Sequence, residues 1–161
     1  MIYRYKLTRH GFNSKVEIGD VITNGKGEKL VVIEIESLYE QIVGQQTRLW
    51  ADVIVQKPNT PNVGYRYADK VKYTNRYRID QKAVVRPVKV GQILTVCEAN
   101  EEKGALVRVE EVVEYHHEFT DLIVTWVGTP VPEWDQRRID ECIRADRLAS
   151  FSVIDGGQQL L

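Results

Sequence analysis

Alternation of apolar and polar residues is the strongest local pattern in this chain, and it predicts β-strands. Val53 and Val55 fall on one face of a strand, while Ile54 falls on the other. Segment 122–130 is largely apolar at both its odd-numbered and its even-numbered positions, which is typical of a strand buried on both sides. Gly25–Gly27 separates two apolar runs, and glycine accepts the positive φ that tight hairpin turns require. The pattern therefore predicts short antiparallel strands joined by hairpin turns.

Two segments of the chain are alike. Val16–Thr23 and Val88–Thr95 share Val, Gly and Thr at matching positions, and their other apolar positions are apolar in both. Three further landmarks recur in the same order: a Leu-Val pair (Leu30-Val31, Leu106-Val107), a tyrosine (Tyr39, Tyr115) and a β-type segment ending in proline (Pro58, Pro130). This ordered recurrence predicts an internal duplication. The alternative is that any β protein repeats strand and turn patterns at intervals.

Four or five short strands within about 45 residues match the size of a small barrel. We therefore predict a mostly β protein of two tandem, small antiparallel β-barrel-like (SH3-like) modules with one C-terminal helix. The strand–Gly–Asp–strand opening resembles small barrels of the KOW or Tudor type in its rhythm alone, and this resemblance transfers no functional residue. The predicted organisation is a first module with a basic N-terminal strand (1–61), a basic tyrosine-rich connector (62–83) and a second module that carries the helix (84–161).

The predicted helix covers residues 133–149, which contain no Gly or Pro and many helix formers. Pro132 is tolerated at a helix start, and Glu133 and Asp135 suit the positive end of the helix dipole. The apolar stripe consists of Ile139, Cys142, Ile143 and Leu148. Such a stripe predicts packing on the second module or between the two modules, with a dimerisation helix as the alternative. The predicted core residues are Ile18, Val21, Leu30, Val32, Val53, Val55, Val90, Ile93, Leu106, Val107, Ile123 and Trp126.

The formal net charge of −1 conceals a segregation of charge along the chain. Residues 62–90 carry eight basic and two acidic side chains, whereas residues 91–161 carry six basic and fourteen acidic ones. A protein that held nucleic acid with its whole surface would be strongly basic. Any nucleic-acid site is therefore expected in a local patch.

The basic segment interleaves Arg and Lys with Tyr, and this composition predicts a nucleic-acid surface. Cations replace counterions along phosphates, and tyrosine rings offer stacking surfaces to unpaired bases. The predicted nucleic-acid-binding residues are Tyr65, Arg66, Tyr67, Lys70, Lys72, Tyr73, Arg76, Tyr77 and Arg78. Tyr3–Lys6 repeats the composition near the N-terminus. The alternative is a half-exposed strand, with rings packed on one face and cations solvated on the other.

Acidic residues around Tyr115–His117 predict a second surface, suited to docking a basic protein or to mimicking nucleic acid. The predicted protein-binding residues are Glu110, Glu111, Glu114, Glu118 and Asp121. The alternative is a solvated acidic face with no partner.

No phosphate-binding loop, nucleophile elbow or zinc-protease motif occurs, and no catalytic residue, metal ligand or cofactor is predicted. His116 and His117 are adjacent, so on a strand they point to opposite faces and do not share one ion. Cys97 and Cys142 are expected to be two buried free thiols, and a single disulfide between them is the alternative. The N-terminus lacks an apolar signal core, and no window approaches a membrane span, so we expect a cytoplasmic protein without membrane contact.

These observations favour a non-enzymatic binding module that acts on nucleic acid or a nucleoprotein. The second hypothesis is a protein–protein or assembly component, including one of viral or mobile-element origin, that uses the acidic half or an exposed strand edge. The third is a small-molecule binder or enzyme in a cleft between the modules. The predicted partners are accordingly nucleic acid, another protein, or further copies of the chain.

Overall fold

The computed structural model describes residues 1–61, 69–78, 88–97 and 104–151. The described residues form eight strands and one helix: β1 (Ile2–His10), β2 (Val21–Thr23), β3 (Lys29–Val43), β4 (Gln46–Gln56), β5 (Val71–Tyr77), β6 (Ile93–Val96), β7 (Ala105–Glu118), β8 (Asp121–Pro130) and α1 (Gln136–Phe151). The prediction of a mostly β chain with a C-terminal helix is confirmed.

Two compact units contain these elements, Met1–Pro61 together with Glu133–Leu161, and Asn62–Pro132. The first unit has an antiparallel sheet in the order β1-β4-β3-β2. β1 runs along the whole of β4, from Ile2 opposite Gln56 to His10 opposite Arg48. β2 is only three residues long and pairs with the first residues of β3. From residue 33 onward, β3 therefore has β4 on one side and, within the described residues, no strand on the other.

The second unit has a sheet with the corresponding order, β5-β8-β7-β6. Each sheet has two register shifts in its long central strand, at Val32/Glu34 and Ile35/Ser37 in β3 and at Val109/Glu111 and Val112/Glu114 in β7. The N–H of Gly19 donates to the Val32 carbonyl at 2.7 Å, and that of Gly91 donates to the Val109 carbonyl at 2.7 Å. Both glycines have positive φ, which a side chain would disfavour. These bonds place Val32 and Val109 at equivalent positions in the two sheets. The sequence comparison pairs Leu30-Val31 with Leu106-Val107, so the correspondence in the structure is shifted by one residue from it.

The barrel-like, SH3-like closure of each module is not confirmed. A barrel closes only when its two edge strands pair with each other. β1 and β2 lie at opposite edges of the first sheet, and β5 and β6 lie at opposite edges of the second. The described sheets are therefore open and four-stranded.

Each sheet has its own buried apolar cluster. The cluster of the first sheet consists of Leu7, Ile22, Leu30, Val32, Ala51, Val53 and Val55, and that of the second consists of Val71, Val96, Ala105, Val107, Val109 and Trp126. Two predicted core residues are exposed instead, Ile18 at 55% and Val90 at 66%. Both precede the glycine turn and lie outside the strands, so the sheet does not cover them.

The helix differs from its prediction in start and in position. It begins at Gln136 because the Asp135 carboxylate accepts the backbone N–H of Arg138 at 2.8 Å, which caps the helix N-terminus. It belongs to the unit that contains residues 1–61, not to the second module. The buried Gln56 amide donates to the Trp134 carbonyl at 2.9 Å and accepts the Trp134 N–H at 2.8 Å. Of the predicted apolar stripe, Ile139 is fully buried, whereas Leu148 is 64% exposed.

The predicted connector contains an ordered strand, since β5 pairs with β8 along its full length. Tyr65, Arg66 and Tyr67 lie outside the described residues. In the described part of the chain, no helix is long and apolar enough to cross a membrane.

Candidate functional site

The described connector residues divide between the two faces of β5. Tyr73 packs against the apolar cluster, and its ring centroid lies 5.8 Å from that of Trp126. Tyr77 occupies the same face by alternation, and burial raises the pKa of its hydroxyl. Lys72 and Arg76 lie on the opposite face and are exposed. The described tyrosines thus line the core side of the strand and do not alternate with the cations on one surface.

Two cations of this segment, Lys70 and Arg76, lie beside carboxylates of the predicted acidic surface. Arg76 contacts Asp121 and Glu118, each at 2.7 Å. The hydrogen bond to Asp121, followed by attraction from Glu118, raises the pKa of the Arg76 guanidinium. Lys70 lies 3.1 Å from Glu110, and the pKa of Glu110 is lowered by the Thr129 hydroxyl and then by Lys70. These pairs leave less net charge of either sign for an external partner.

Exposed apolar residues continue past these pairs along the β7–β8 hairpin. Tyr115 is 72% exposed and Phe119 is 97% exposed. Glu111 and Glu114 are exposed on the same strand, and Lys72 has no ion pair within the described residues. The structure places the described residues of the two predicted surfaces in the strands of this one sheet, except Lys70 and Arg78, which directly flank β5.

The β3–β4 hairpin of the first sheet also exposes four apolar side chains, all of them more than half exposed. They are Leu38 at 53%, Tyr39 at 59%, Ile42 at 65% and Val43 at 63%. All four belong to one regular strand that pairs with β4 as far as Val43 opposite Gln46. Leu38 and Ile42 lie on the face of the apolar cluster, and Tyr39 and Val43 lie on the opposite face. Exposed apolar patches mark interaction sites more often than chance exposure does.

The face of the first sheet that points away from its apolar cluster brings aromatic and basic residues together. Trp50 is half-buried and lies directly opposite Thr8 on β1 and Tyr39 on β3. The Arg48 guanidinium lies 5.5 Å from the centre of the Trp50 ring. Alternation along β1 places Lys6 and His10 on this face as well. We call this surface the Trp50 face, and it consists of Lys6, Thr8, His10, Tyr39, Arg48 and Trp50.

The second sheet has different chemistry at the corresponding positions. Ile123 lies between Arg76 and His116, as Trp50 lies between Thr8 and Tyr39. Ile123 is buried, and Arg76 is held in ion pairs. An aromatic pair at this place is therefore not a requirement of the sheet.

A shallow cavity of about 160 Å³ adjoins the Trp50 face at the hairpin end. It is lined by His10, Gln41, Val43, Gln46, Thr47 and Arg48. Thr47 is buried, and its hydroxyl donates to the Glu40 carboxylate at 2.7 Å. The hydroxyl proton is therefore already used within the protein.

The described residues contain no group of three or more metal-capable side chains. His116 and His117 lie opposite Ile123 and Leu122, which places them on different faces of β7. Cys97 and Cys142 are free thiols, but Cys97 is exposed and Cys142 is only partly buried, so the predicted burial of both is wrong. No protein-family model, curated protein or solved structure matches this chain.

Sequence reasoning did not find the β3–β4 hairpin or the Trp50 face. The hairpin had a visible pattern, since Leu38-Tyr39 and Ile42-Val43 place apolar residues on both faces of a strand. The Trp50 face had none, because Thr8, Tyr39 and Trp50 are far apart in sequence and meet only through strand register.

Proposed function

We propose that this protein is a non-enzymatic assembly component that binds a second copy of itself through the outer edge of β3. The observation that carries the proposal is the segment Ser37–Val43, which combines four exposed apolar side chains with an unpaired strand edge within the described residues. The binding mode is β-strand addition, in which backbone hydrogen bonds give affinity and side chains give specificity.

The edge carries a single protection against pairing, the Glu40 carboxylate. Natural edge strands are blunted by Lys, Pro, bulges or very short length. Segment 37–43 contains no Lys or Pro, its single charge is Glu40, and both register shifts of β3 lie before it. A weakly protected edge of this length favours a partner strand over solvent.

A second copy fits the edge better than an arbitrary strand does. Antiparallel pairing about a two-fold axis at Glu40 places Leu38 opposite Ile42 of the other copy, twice, on the face of the apolar cluster. Such aliphatic cross-strand pairs stabilise a sheet. The interface is isologous and closed, so it yields a dimer and not a filament.

The same register brings the two Glu40 carboxylates together. Like charges directly opposite each other destabilise a strand pair. The Thr47 hydroxyl relieves this only in part, by donating to one oxygen of Glu40. Replacing Glu40 by Gln should therefore tighten the dimer, an outcome that a partner strand of unrelated sequence does not predict.

The test is sedimentation equilibrium of the full chain and of three variants. Ile42→Lys should dissociate the dimer, and Glu40→Gln should strengthen it. Leu148→Lys is the matched control, because Leu148 is as exposed as Ile42 but lies on the helix, and it should leave the dimer unchanged. A monomeric wild type, or equal effects of the Ile42 and Leu148 substitutions, would contradict the proposal. Far-UV circular dichroism checks that each variant is folded.

We also propose that the two β units arose by internal duplication. Equal strand order, paired register shifts and the two glycine turns at Gly19 and Gly91 support a duplicated module, although the SH3-like name finds no support in open sheets. Docking of a basic protein on the acidic residues, and a small-molecule or enzyme site between the modules, stay predictions.

A further inference from the structure

We propose that the Trp50 face binds single-stranded nucleic acid, a function beyond self-association. Two aromatic rings, Trp50 and Tyr39, lie on adjacent strands at directly opposed positions. Neighbouring strands are about 4.8 Å apart, so the two rings can accept bases from one strand of nucleic acid. Tyr39 is 59% exposed, and Trp50 keeps part of its surface in solvent.

Two cations, Arg48 and Lys6, and one histidine, His10, lie on the same face as the two rings. Arg48 lies over Trp50, and Lys6 and His10 flank Thr8 on the neighbouring strand. Asp52 is the nearest carboxylate on this face of β4, and it accepts the Ser37 hydroxyl at 2.9 Å. The face thus offers stacking and positive charge together, the combination that sequence-independent single-strand binders use.

The chemistry selects this ligand over two others. A neutral sugar could stack on Trp50, but it would leave Arg48 without a counter-charge, whereas Lys6 already lies opposite Asp52. A duplex hides its bases, and a flat sheet face has no helix or ribbon to enter a groove. An unpaired strand uses both the rings and the cations.

The second sheet serves as a control within the molecule. Its corresponding positions hold Ile123, His116 and the ion-paired Arg76, and the strands pair in the same way. The fold therefore does not need Trp50 or Tyr39 there. Trp50→Ile and Tyr39→His give the first sheet the residues that the second sheet already tolerates.

The experiment is fluorescence anisotropy with labelled oligo-dT, oligo-U and duplex DNA, at low and physiological salt. The wild type should bind the single strands, with affinity that falls as salt rises and a preference over duplex. Trp50→Ile should weaken binding roughly tenfold or more, the loss expected for one base stack. Arg48→Gln should reduce the slope of log affinity against log salt by about one.

Two further variants separate this proposal from its competitors. Lys72→Gln removes an exposed cation of the second sheet and should leave binding unchanged. Ile42→Gln weakens the proposed dimer edge without adding charge and should also leave the intrinsic affinity unchanged, because Ile42 belongs to the opposite face of β3. If Lys72→Gln weakens binding while Trp50→Ile does not, the site lies in the connector and the proposal is overturned. Absence of binding at low salt overturns the proposal as well. If Trp50→Ile does not fold, Tyr39→His and Arg48→Gln still test the site.

Discussion

Gly128 and Trp126 form a pair whose substitution tests the packing of the second sheet. A Cβ on Gly128 would lie 2.8 Å from the Trp126 ring and 2.8 Å from Val107 Cγ1, and it would also meet the Arg108 carbonyl. Trp126 is fully buried, and its indole N–H donates to Asn75 Oδ1 at 2.6 Å. The indole ring therefore occupies the space that a side chain at position 128 would need.

The first sheet solves the same position differently. When the two sheets are aligned by their strand registers, Trp126 corresponds to Val53 and Gly128 corresponds to Val55. Both valines are fully buried. The first sheet has the smaller Val53 where the second has Trp126, and this leaves room for Val55 where the second has Gly128. We therefore expect Trp126→Val to relieve part of the damage that a side chain at 128 causes, since the Arg108 carbonyl and Val107 Cγ1 stay in place.

The magnitudes follow from overpacking and cavity formation. Gly128→Ala should destabilise the second unit by about 3 kcal/mol, at the upper end for overpacking, because backbone must move. Trp126→Val should cost about 3–4 kcal/mol through the cavity and the orphaned Asn75 carbonyl. The double variant should be less destabilised than the sum of the two by about 1–2 kcal/mol.

Urea titration followed by far-UV circular dichroism measures these differences, and amide hydrogen exchange assigns them to β7 and β8. Gly25→Ala is the matched control, since a Cβ there meets nothing within 4 Å, and it should change stability by less than about 0.5 kcal/mol. Strict additivity of the double variant, or a cost of Gly128→Ala as small as that of Gly25→Ala, would refute the reasoning.

Three further predictions concern stability. Gln56→Leu removes both buried hydrogen bonds to the backbone before α1 and should lower the free energy of unfolding, measured by urea titration, by about 2–4 kcal/mol. Lys29→Ala breaks a half-exposed ion pair to the helix and should lower it by less than about 1 kcal/mol. Lys57 holds the pKa of Glu28 below its ordinary value, so this stabilisation is present above that value and is lost as pH falls through the folded-state pKa. Glu28→Gln should flatten the acid limb of the stability–pH curve. Burial raises the pKa of Tyr77, so its contribution is full below the ordinary tyrosine value of 10.0 and is lost as pH rises through the folded-state pKa. Tyr77→Phe should flatten the alkaline limb.

Strand content could be predicted from sequence because alternation is local. The Tyr–Lys alternation of Val71–Tyr77 marks β5, and the two-sided apolar run marks β8. Helix position could not be predicted, because the stripe around Ile139 indicates a buried face but not which sheet covers it. The buried Gln56 amide settles the position, and a glutamine in a strand gives no sign of a partner 78 residues away.

The candidate surfaces depend on lengths and registers that composition does not contain. The open edge of β3 exists because β2 ends after three residues while β3 continues to Val43. The ion pairs of Arg76 with Asp121 and Glu118 depend on β5 lying beside β8. Sequence reasoning therefore identified the basic and acidic residues but not their proximity.

Cysteine cross-linking at position 40 tests the proposed self-association most directly. Opposed residues of an antiparallel pair have Cα atoms about 4.5–5.5 Å apart, which suits a disulfide. In a background in which Ser replaces Cys97 and Cys142, Glu40→Cys should form a covalent dimer under mild oxidation. Lys26→Cys, at an exposed turn away from the edge, should stay monomeric. A Glu40→Cys chain that stays monomeric, or that cross-links no faster than the Lys26→Cys chain, would contradict pairing of two copies at β3.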